Sequence, residues 1–189
     1  MRIIAGEYRG RRLLPPASTA TRPITDRVKQ SLFDILTPQI PGAVVYDCFA
    51  GTGSLGLEAL SRGASRATFF EHDRDAVARL KRNIQMLGLQ DRARVVSGDL
   101  FKWFIDAGTR PGEAGRADLV FLDPPYRFVR DLPEKLRALA RELSAHHLSS
   151  RGIVVFRHDV RDSLELPMLV RYDRRNYGSM TIELLRRAP

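Results

Sequence analysis

The sequence predicts an α/β fold with a parallel sheet covered by helices on both faces. Three observations predict it. Short apolar runs alternate with helical patterns along most of the chain, a glycine-rich turn follows the first run, and an acidic residue stands at the end of four successive runs. Strict alternation of strand and helix implies right-handed crossovers, which bring successive strands into a parallel sheet.

The elements follow in order. Ile3-Ile4 and Leu13-Leu14 flank Glu7-Tyr8-Arg9-Gly10 as the two arms of a short hairpin. A helix is predicted over 25–36, with Thr25 as N-cap, Asp26 in the positive first turn, and Val28, Leu32, Ile35 and Leu36 as its buried stripe. Pro38 and Pro41 stop it. Strands are predicted over 43–48, 66–71, 93–97, 117–122, 152–156, 169–171 and 180–185, with helices over 54–62, 74–87, 100–107 and 131–145 between them. The helix over 74–87 is the clearest. Ala76, Val77, Leu80, Ile84 and Leu87 share one face, Asp73 caps its start, and Gly88 supplies the left-handed residue that ends it. The Gly-rich stretch 108–115 reads as a loop.

At 189 residues the chain fits one domain, 1–189, in which 1–40 form a basic arm and helix and 41–189 the core. A domain of this size buries about 70% of its unfolded surface and needs no disulfide or metal to be stable. The single cysteine, Cys48, lies in an apolar segment and reads as a small core residue in a reducing compartment. No stretch approaches the roughly 18 apolar residues of a membrane span, and the opening Met-Arg-Ile-Ile-Ala-Gly lacks a signal-peptide apolar region, so a cytoplasmic protein is expected. His72, His146, His147 and His158 show no metal spacing and read as packing or surface residues; no metal is expected. Net charge is +9, and the first 29 residues, with seven basic against two acidic side chains, carry +5 of it. A basic excess concentrated in one segment is the footprint of a phosphate-binding arm.

In a sheet of this kind ligands bind outside the carboxyl ends of the strands, near the switch in strand order. The first strand ends in Asp47 and runs into Ala50-Gly51-Thr52-Gly53-Ser54-Leu55-Gly56, where backbone can turn tightly and approach a ligand. Glu71 stands twenty residues beyond Gly51, where a carboxylate can hold both hydroxyls of a ribose. Asp99 follows the third strand, where it can accept from an adenine amino group or cap the next helix. The glycines equally suit close helix packing or a nicotinamide enzyme.

The fourth strand ends in Asp123-Pro124-Pro125-Tyr126. Two prolines fix φ and remove two N–H donors, leaving the carbonyls of the turn as acceptors. If the Asp123 carboxylate and the Pro124 carbonyl accept both protons of an exocyclic amine, the nitrogen is drawn toward a pyramidal geometry and its lone pair is aimed at an electrophile. Tyr126 can stack on the ring that bears the amine. A loop that merely ends a strand is the alternative for this motif taken alone.

The run from Asp47 to Ala64, with Glu71, Asp99 and Asp123-Pro124-Pro125-Tyr126, resembles the RsmD-type 16S ribosomal RNA guanine-N2 methyltransferases. So do Arg2-Ile3-Ile4-Ala5-Gly6, Arg9-Gly10-Arg11, the 22–28 stretch Arg-Pro-Ile-Thr-Asp-Arg-Val, and Tyr177-Gly178. The resemblance covers essentially the whole chain. It implies a Rossmann-like class I methyltransferase fold, a seven-stranded mostly parallel sheet with an antiparallel last strand, extended by the N-terminal basic hairpin and helix. It implies S-adenosyl-L-methionine as cofactor. On that reading the loop Ala50, Gly51, Thr52 and Gly53 passes the methionine part, Glu71 binds the ribose and Asp99 the adenine, with Asp47, His72 and Leu100 also counted as cofactor-binding. Asp123, Pro124, Pro125 and Tyr126 would receive the flipped guanine, with Asp123 also beside the cofactor. The partner implied is 16S rRNA or the assembling 30S subunit, met by a monomer with no membrane contact. Phosphate contacts are expected from Arg2, Arg9, Arg11, Arg12, Arg22 and Arg27, from Arg127 and Arg130 past the turn, and from Arg174 and Arg175, which a parallel sixth strand would bring to the same edge. An adenine-N6 methyltransferase of DNA or RNA, and a non-catalytic RNA-binding assembly factor, are the alternatives.

Overall fold

The computed structural model, which describes residues 1–17, 24–106 and 115–188, is built on one seven-stranded sheet in the order β3-β2-β1-β4-β5-β7-β6. The strands are β1 (Val44–Cys48), β2 (Arg66–Glu71), β3 (Ala93–Ser97), β4 (Ala117–Leu122), β5 (Leu148–Asp159), β6 (Leu169–Tyr177) and β7 (Met180–Arg187). The first five pair in parallel, and β7 runs antiparallel to both β5 and β6. The chain builds outward from β1 to β3 and then crosses to β4, so the switch in strand order lies between β1 and β4. Both strands end there on chemistry-bearing residues, Asp47 and Asp123. Among the described residues no helix is long and apolar enough to cross a membrane.

The helices are α1 (Asp26–Leu36), α2 (Ser54–Ser61), α3 (Arg74–Met86), α4 (Arg127–Asp131) and α5 (Pro133–Glu142). Thr25 Oγ1 accepts from Val28 N and Asp73 Oδ1 from Ala76 N, the two caps expected. Two apolar layers sandwich the sheet. On one face α1 packs Phe33 against Phe121, with ring centroids 5.6 Å apart, beside α2, α3 and the arm. On the other, Phe70, Phe104 and Trp103 meet the α5 layer. His147 is fully buried there against Phe104, and Cys48 is buried in the same layer.

Four elements differ from expectation, one of them β5, predicted over 152–156 and running from Leu148 to Asp159. The helix over 100–107 is helical through the described residues 100–106 but widens into a looser turn over Lys102–Asp106. The helix over 131–145 is broken at Leu132 (φ −133°), because Pro133 has no N–H to continue α4 and instead opens α5, which closes in a second wide turn, Leu143–His147. β6 runs six residues past the predicted 169–171. It is the edge strand, solvated on both faces, and its charged run carries no apolar alternation to read. Arg22 and most of the predicted loop lie outside the described residues.

The N-terminal arm is a docked hairpin. Ile3 N donates to Arg11 O (2.9 Å) and Leu13 N to Met1 O (3.1 Å), while Ile3 and Leu13 enter the core. Its anchor is Glu58 of α2, a buried carboxylate that accepts from Ile4 N (2.8 Å) and Ala5 N (3.0 Å) and pairs with Lys29 of α1 and Arg62. Farther along, Asn83 of α3 exchanges hydrogen bonds with Leu14 and donates to Thr52 O. The arm thus ties α1, α2, α3 and the glycine loop together.

Candidate active site at the carboxyl edge of the sheet

The glycine loop leaves β1 through Phe49, a bulky residue held at φ 66°, and Ala50, whose N–H is taken by Phe70 O at 2.9 Å. Glu71 then clamps the loop. Its Oε2 accepts from Gly51 N (2.8 Å), and its Oε1 from His72 N (2.9 Å) and Asp73 N (2.8 Å). Beneath the loop, Asp47 Oδ2 accepts from Gly56 N at 2.8 Å, holding the start of α2. Burial pushes the Asp47 carboxyl up to about 7, and the neighbouring Asp123 and Glu71 charges push the same way.

The glycines divide between two jobs. A Cβ on Gly53 would meet Leu80 Cδ1 at 2.5 Å and one on Gly56 would meet Phe69 Cε1 at 2.4 Å, so both serve close packing. Gly51, at φ +55°, faces open space within 4 Å. Of the three, only Gly51 has no atom within 4 Å of where a Cβ would stand.

Beside this loop opens a cavity of about 190 Å³, lined by Glu71, His72, Asp99 and Leu100 with Phe49 and Phe128 among its aromatic walls. Phe49 meets Phe101 and Phe128 edge-on, each at 5.9 Å. Asp99 Oδ1 caps the turn that follows, accepting from Phe101 N at 2.8 Å. Apolar ring walls with carboxylates at two corners suit a flat heterocycle joined to a hydroxyl-bearing sugar.

The Asp123 turn lies at the same edge. The Pro125 carbonyl accepts from Phe128 N at 2.8 Å to start α4, and no backbone donor among the described residues reaches the Pro124 carbonyl. Asp123 is not free as expected. The last rung of the β4–β5 ladder pairs Leu122 with Phe156, so the next residues, Asp123 and Arg157, stand side by side, and Arg157 Nε donates to Asp123 Oδ1 at 2.5 Å. One oxygen of the carboxylate is therefore already engaged. Burial pushes the Asp123 carboxyl up, and the Arg157 guanidinium draws it back down. Arg157 Cζ also lies 5.9 Å over the Tyr126 ring.

The predicted phosphate-binding arginines are not all together. The hairpin runs along α2, with Arg2 near the Ser54 end and the tip, bonded through Glu7 N and Tyr8 N to Ser61, at the other. Eight helical residues span about 12 Å, so Arg9 at the tip lies far from the site while Arg2 and Arg12 lie toward it. Arg11 sits between, and Arg2 is paired with Asp26 at 2.8 Å. Arg27 and Arg127 are exposed, and Arg130 lies 3.8 Å from Asp162. Because β6 parallels β5, its turn into β7 does reach the carboxyl edge. Strand alternation, however, separates the adjacent arginines: Arg175 is opposite Ile182 on the α1 face, whereas Arg174 is opposite Glu183 on the other face, 3.8 Å from its carboxylate. Tyr177, on the Arg175 face, meets Ser31 Oγ of α1 at 2.8 Å.

Residues 1–186 match the model of the family described as "Conserved hypothetical protein 95". "Putative rRNA methyltransferase YlbH" of Bacillus subtilis (strain 168) is 39% identical over 171 residues, 90% of this chain and 88% of that protein. "Ribosomal RNA small subunit methyltransferase D" of Escherichia coli (strain K12) is 45% identical over 127 residues, 67% of this chain and 61% of that protein. The chain belongs to the RsmD family. A solved structure described as "Putative methyltransferase yhhF from Escherichia coli" matches with a TM-score of 0.82 at 34% identity, over 99% of this chain and 97% of that one. The fold of this RsmD-family chain is accordingly that of a class I S-adenosylmethionine-dependent methyltransferase.

In this RsmD-family site the residue that sequence reasoning missed is Arg157. The strand predicted over 152–156 stops one position short of it, yet a lone basic residue closing an apolar run, level with Asp123 in an aligned parallel pair, was a usable signal. Lys29 was likewise invisible, being a lysine with 1% exposure whose partner Glu58 is 29 residues away in sequence.

Proposed function

We propose that this RsmD-family methyltransferase transfers the methyl group of S-adenosyl-L-methionine to the exocyclic N2 of a guanine in 16S rRNA, free or in the assembling 30S subunit. The observation that carries the reading is the Asp123-Pro124-Pro125-Tyr126 turn, with a Pro124 carbonyl that no backbone donor among the described residues reaches, on the same sheet edge as a cavity lined by Glu71 and Asp99. The residues around that cavity fit the cofactor: Gly51 offers backbone to the methionine part, Glu71 and His72 the ribose site, Asp99 and Leu100 the adenine site, between Phe49 and Phe128. When bound, the cofactor supplies a methyl group already activated on a cationic sulfur.

The chain's own residues then have to receive, align and desolvate the base. Tyr126 offers a ring face to the flipped guanine, worth about 1 to 3 kcal/mol for a stacked base. The second oxygen of Asp123 and the Pro124 carbonyl accept the two N2 protons, which frees the nitrogen lone pair for in-line attack. Guanine N2 is not basic, so no strong base is needed beforehand, and its proton leaves afterwards to Asp123 or water. Unstacking the base costs a few kcal/mol, least in a single-stranded or partly assembled RNA. Arg2, Arg12, Arg27, Arg127 and Arg175 surround this edge as phosphate contacts. We read 1–189 as one domain, since the arm is bonded into the core through Glu58 and Asn83, and take it as a cytoplasmic monomer.

The test is incubation with labelled S-adenosyl-L-methionine and unmodified small subunits, followed by nucleoside mass analysis. N2-methylguanosine is the expected product, and Asp123→Ala abolishes it while RNA binding persists. N6-methyladenosine would move the reading to an adenine enzyme, and no label in RNA at all would leave a binding factor.

A further inference from the structure

The Arg157–Asp123 pair is hard to account for as a stabilising contact. Arg157 is 8% exposed, its Nη1 is buried with no hydrogen-bond partner among the described residues, and its Nε holds Asp123 Oδ1 at 2.5 Å. Removing two charges from water commonly costs more than their attraction returns, and an unpartnered buried N–H adds to that cost. A pair this costly is explained when it serves the chemistry of Asp123.

From this geometry we infer that Arg157 is a positioning residue for methyl transfer: it keeps the Asp123 carboxylate ionised and aimed. The inference rests on the proposed function and adds a residue to that site. The groups facing Asp123 make the need plain. Asp47 on β1 and Glu71 at the end of β2 are carboxylates on the same edge, Tyr126 lies on the same turn, and β7 presents the neutral Ile182 opposite Arg157. Arg157 is the cation in contact with Asp123. Without it a buried carboxyl among two others takes up a proton, and a protonated oxygen donates instead of accepting from an amine. The Nε bond also fixes the carboxylate rotamer, leaving one oxygen for the substrate.

Arg157→Met and Arg157→Lys separate this role from packing. The Asp123 side-chain carboxyl is followed by carbon-13 NMR across pH in the wild type and both variants. In Arg157→Met its titration midpoint rises by about one unit or more, while Arg157→Lys restores it toward the wild-type value. The acid limb of the methyl-transfer profile moves with it, roughly tenfold in rate per unit below the midpoint, with cofactor affinity unchanged. If Arg157→Met does not fold, Arg157→Gln gives the same comparison. A midpoint that stays put in the neutral variants overturns the inference. A wild type that methylates no RNA counts against the proposed function instead, and the NMR titration still decides the role of Arg157.

Discussion

The Glu58 carboxylate and the Lys29 ammonium lie 3.2 Å apart, both almost wholly shielded from water. Lys29 Nζ also donates to Arg2 O at 2.6 Å and Ser54 Oγ at 3.3 Å, so one buried cation joins the arm, α1 and α2. Burial lowers its affinity for a proton, and Glu58 offsets only part of that. Glu58→Ala strands that charge and orphans the Ile4 and Ala5 N–H groups, and should cost about 3 to 5 kcal/mol. Urea denaturation measures the loss, and trypsin should then cut at Arg9, Arg11 and Arg12 far faster than in the wild type.

The glycines should separate by phenotype. Gly53→Ala combines φ +86° with a Cβ 2.5 Å from Leu80 Cδ1, a side chain locked in the core, and should destabilise by about 2 to 4 kcal/mol. Gly51→Ala meets no atom, so it should cost about 1 kcal/mol in stability while cutting S-adenosyl-L-methionine affinity at least as much as Gly53→Ala does. Melting curves with and without cofactor distinguish the two.

Asp47 sets a pH dependence whose sign is fixed. Its carboxyl holds a proton to about 7 in the folded protein against an ordinary 3.8, so between those values the unfolded chain has lost a proton that the folded chain retains. Stability from this group is therefore greatest at low pH and falls as pH rises from about 4 to about 7, by up to roughly 1.4 kcal/mol per unit. Asp47→Asn keeps an acceptor for Gly56 N–H and removes that slope. Urea midpoints at several pH values, wild type minus variant, give the difference directly.

RNA affinity should depend on which end of the hairpin an arginine occupies. Arg12→Ala and Arg27→Ala should each lower the salt slope of RNA binding by about one, whereas Arg9→Ala, at the far end of α2, should leave it nearly unchanged. Fluorescence titrations over a range of salt concentrations measure the slopes. Equal effects from all three would contradict the geometry.

The fold was legible wherever apolar periodicity was clean. β2, β3 and β4 begin and end where the sequence places them, and Thr25 and Asp73 cap as their side-chain chemistry dictates. What escaped was set by partners distant in sequence. The reach of β6 depends on pairing with β7, because its own residues are charged on both faces. Which face Arg174 and Arg175 each take follows from the register of β6 on β7, which composition does not encode. In the candidate site, Glu71, Asp99 and Asp123 were readable as strand-end carboxylates, while Arg157 emerged only when β4 and β5 were laid side by side.

The arm docks on residues made after it, among them Lys29, Glu58, Ser61 and Asn83. At roughly 5 to 20 residues per second of translation, the nascent hairpin waits several seconds before its last anchor, Asn83, leaves the exit tunnel. Throughout that interval a cationic segment hangs unfolded beside the ribosome that is synthesising it.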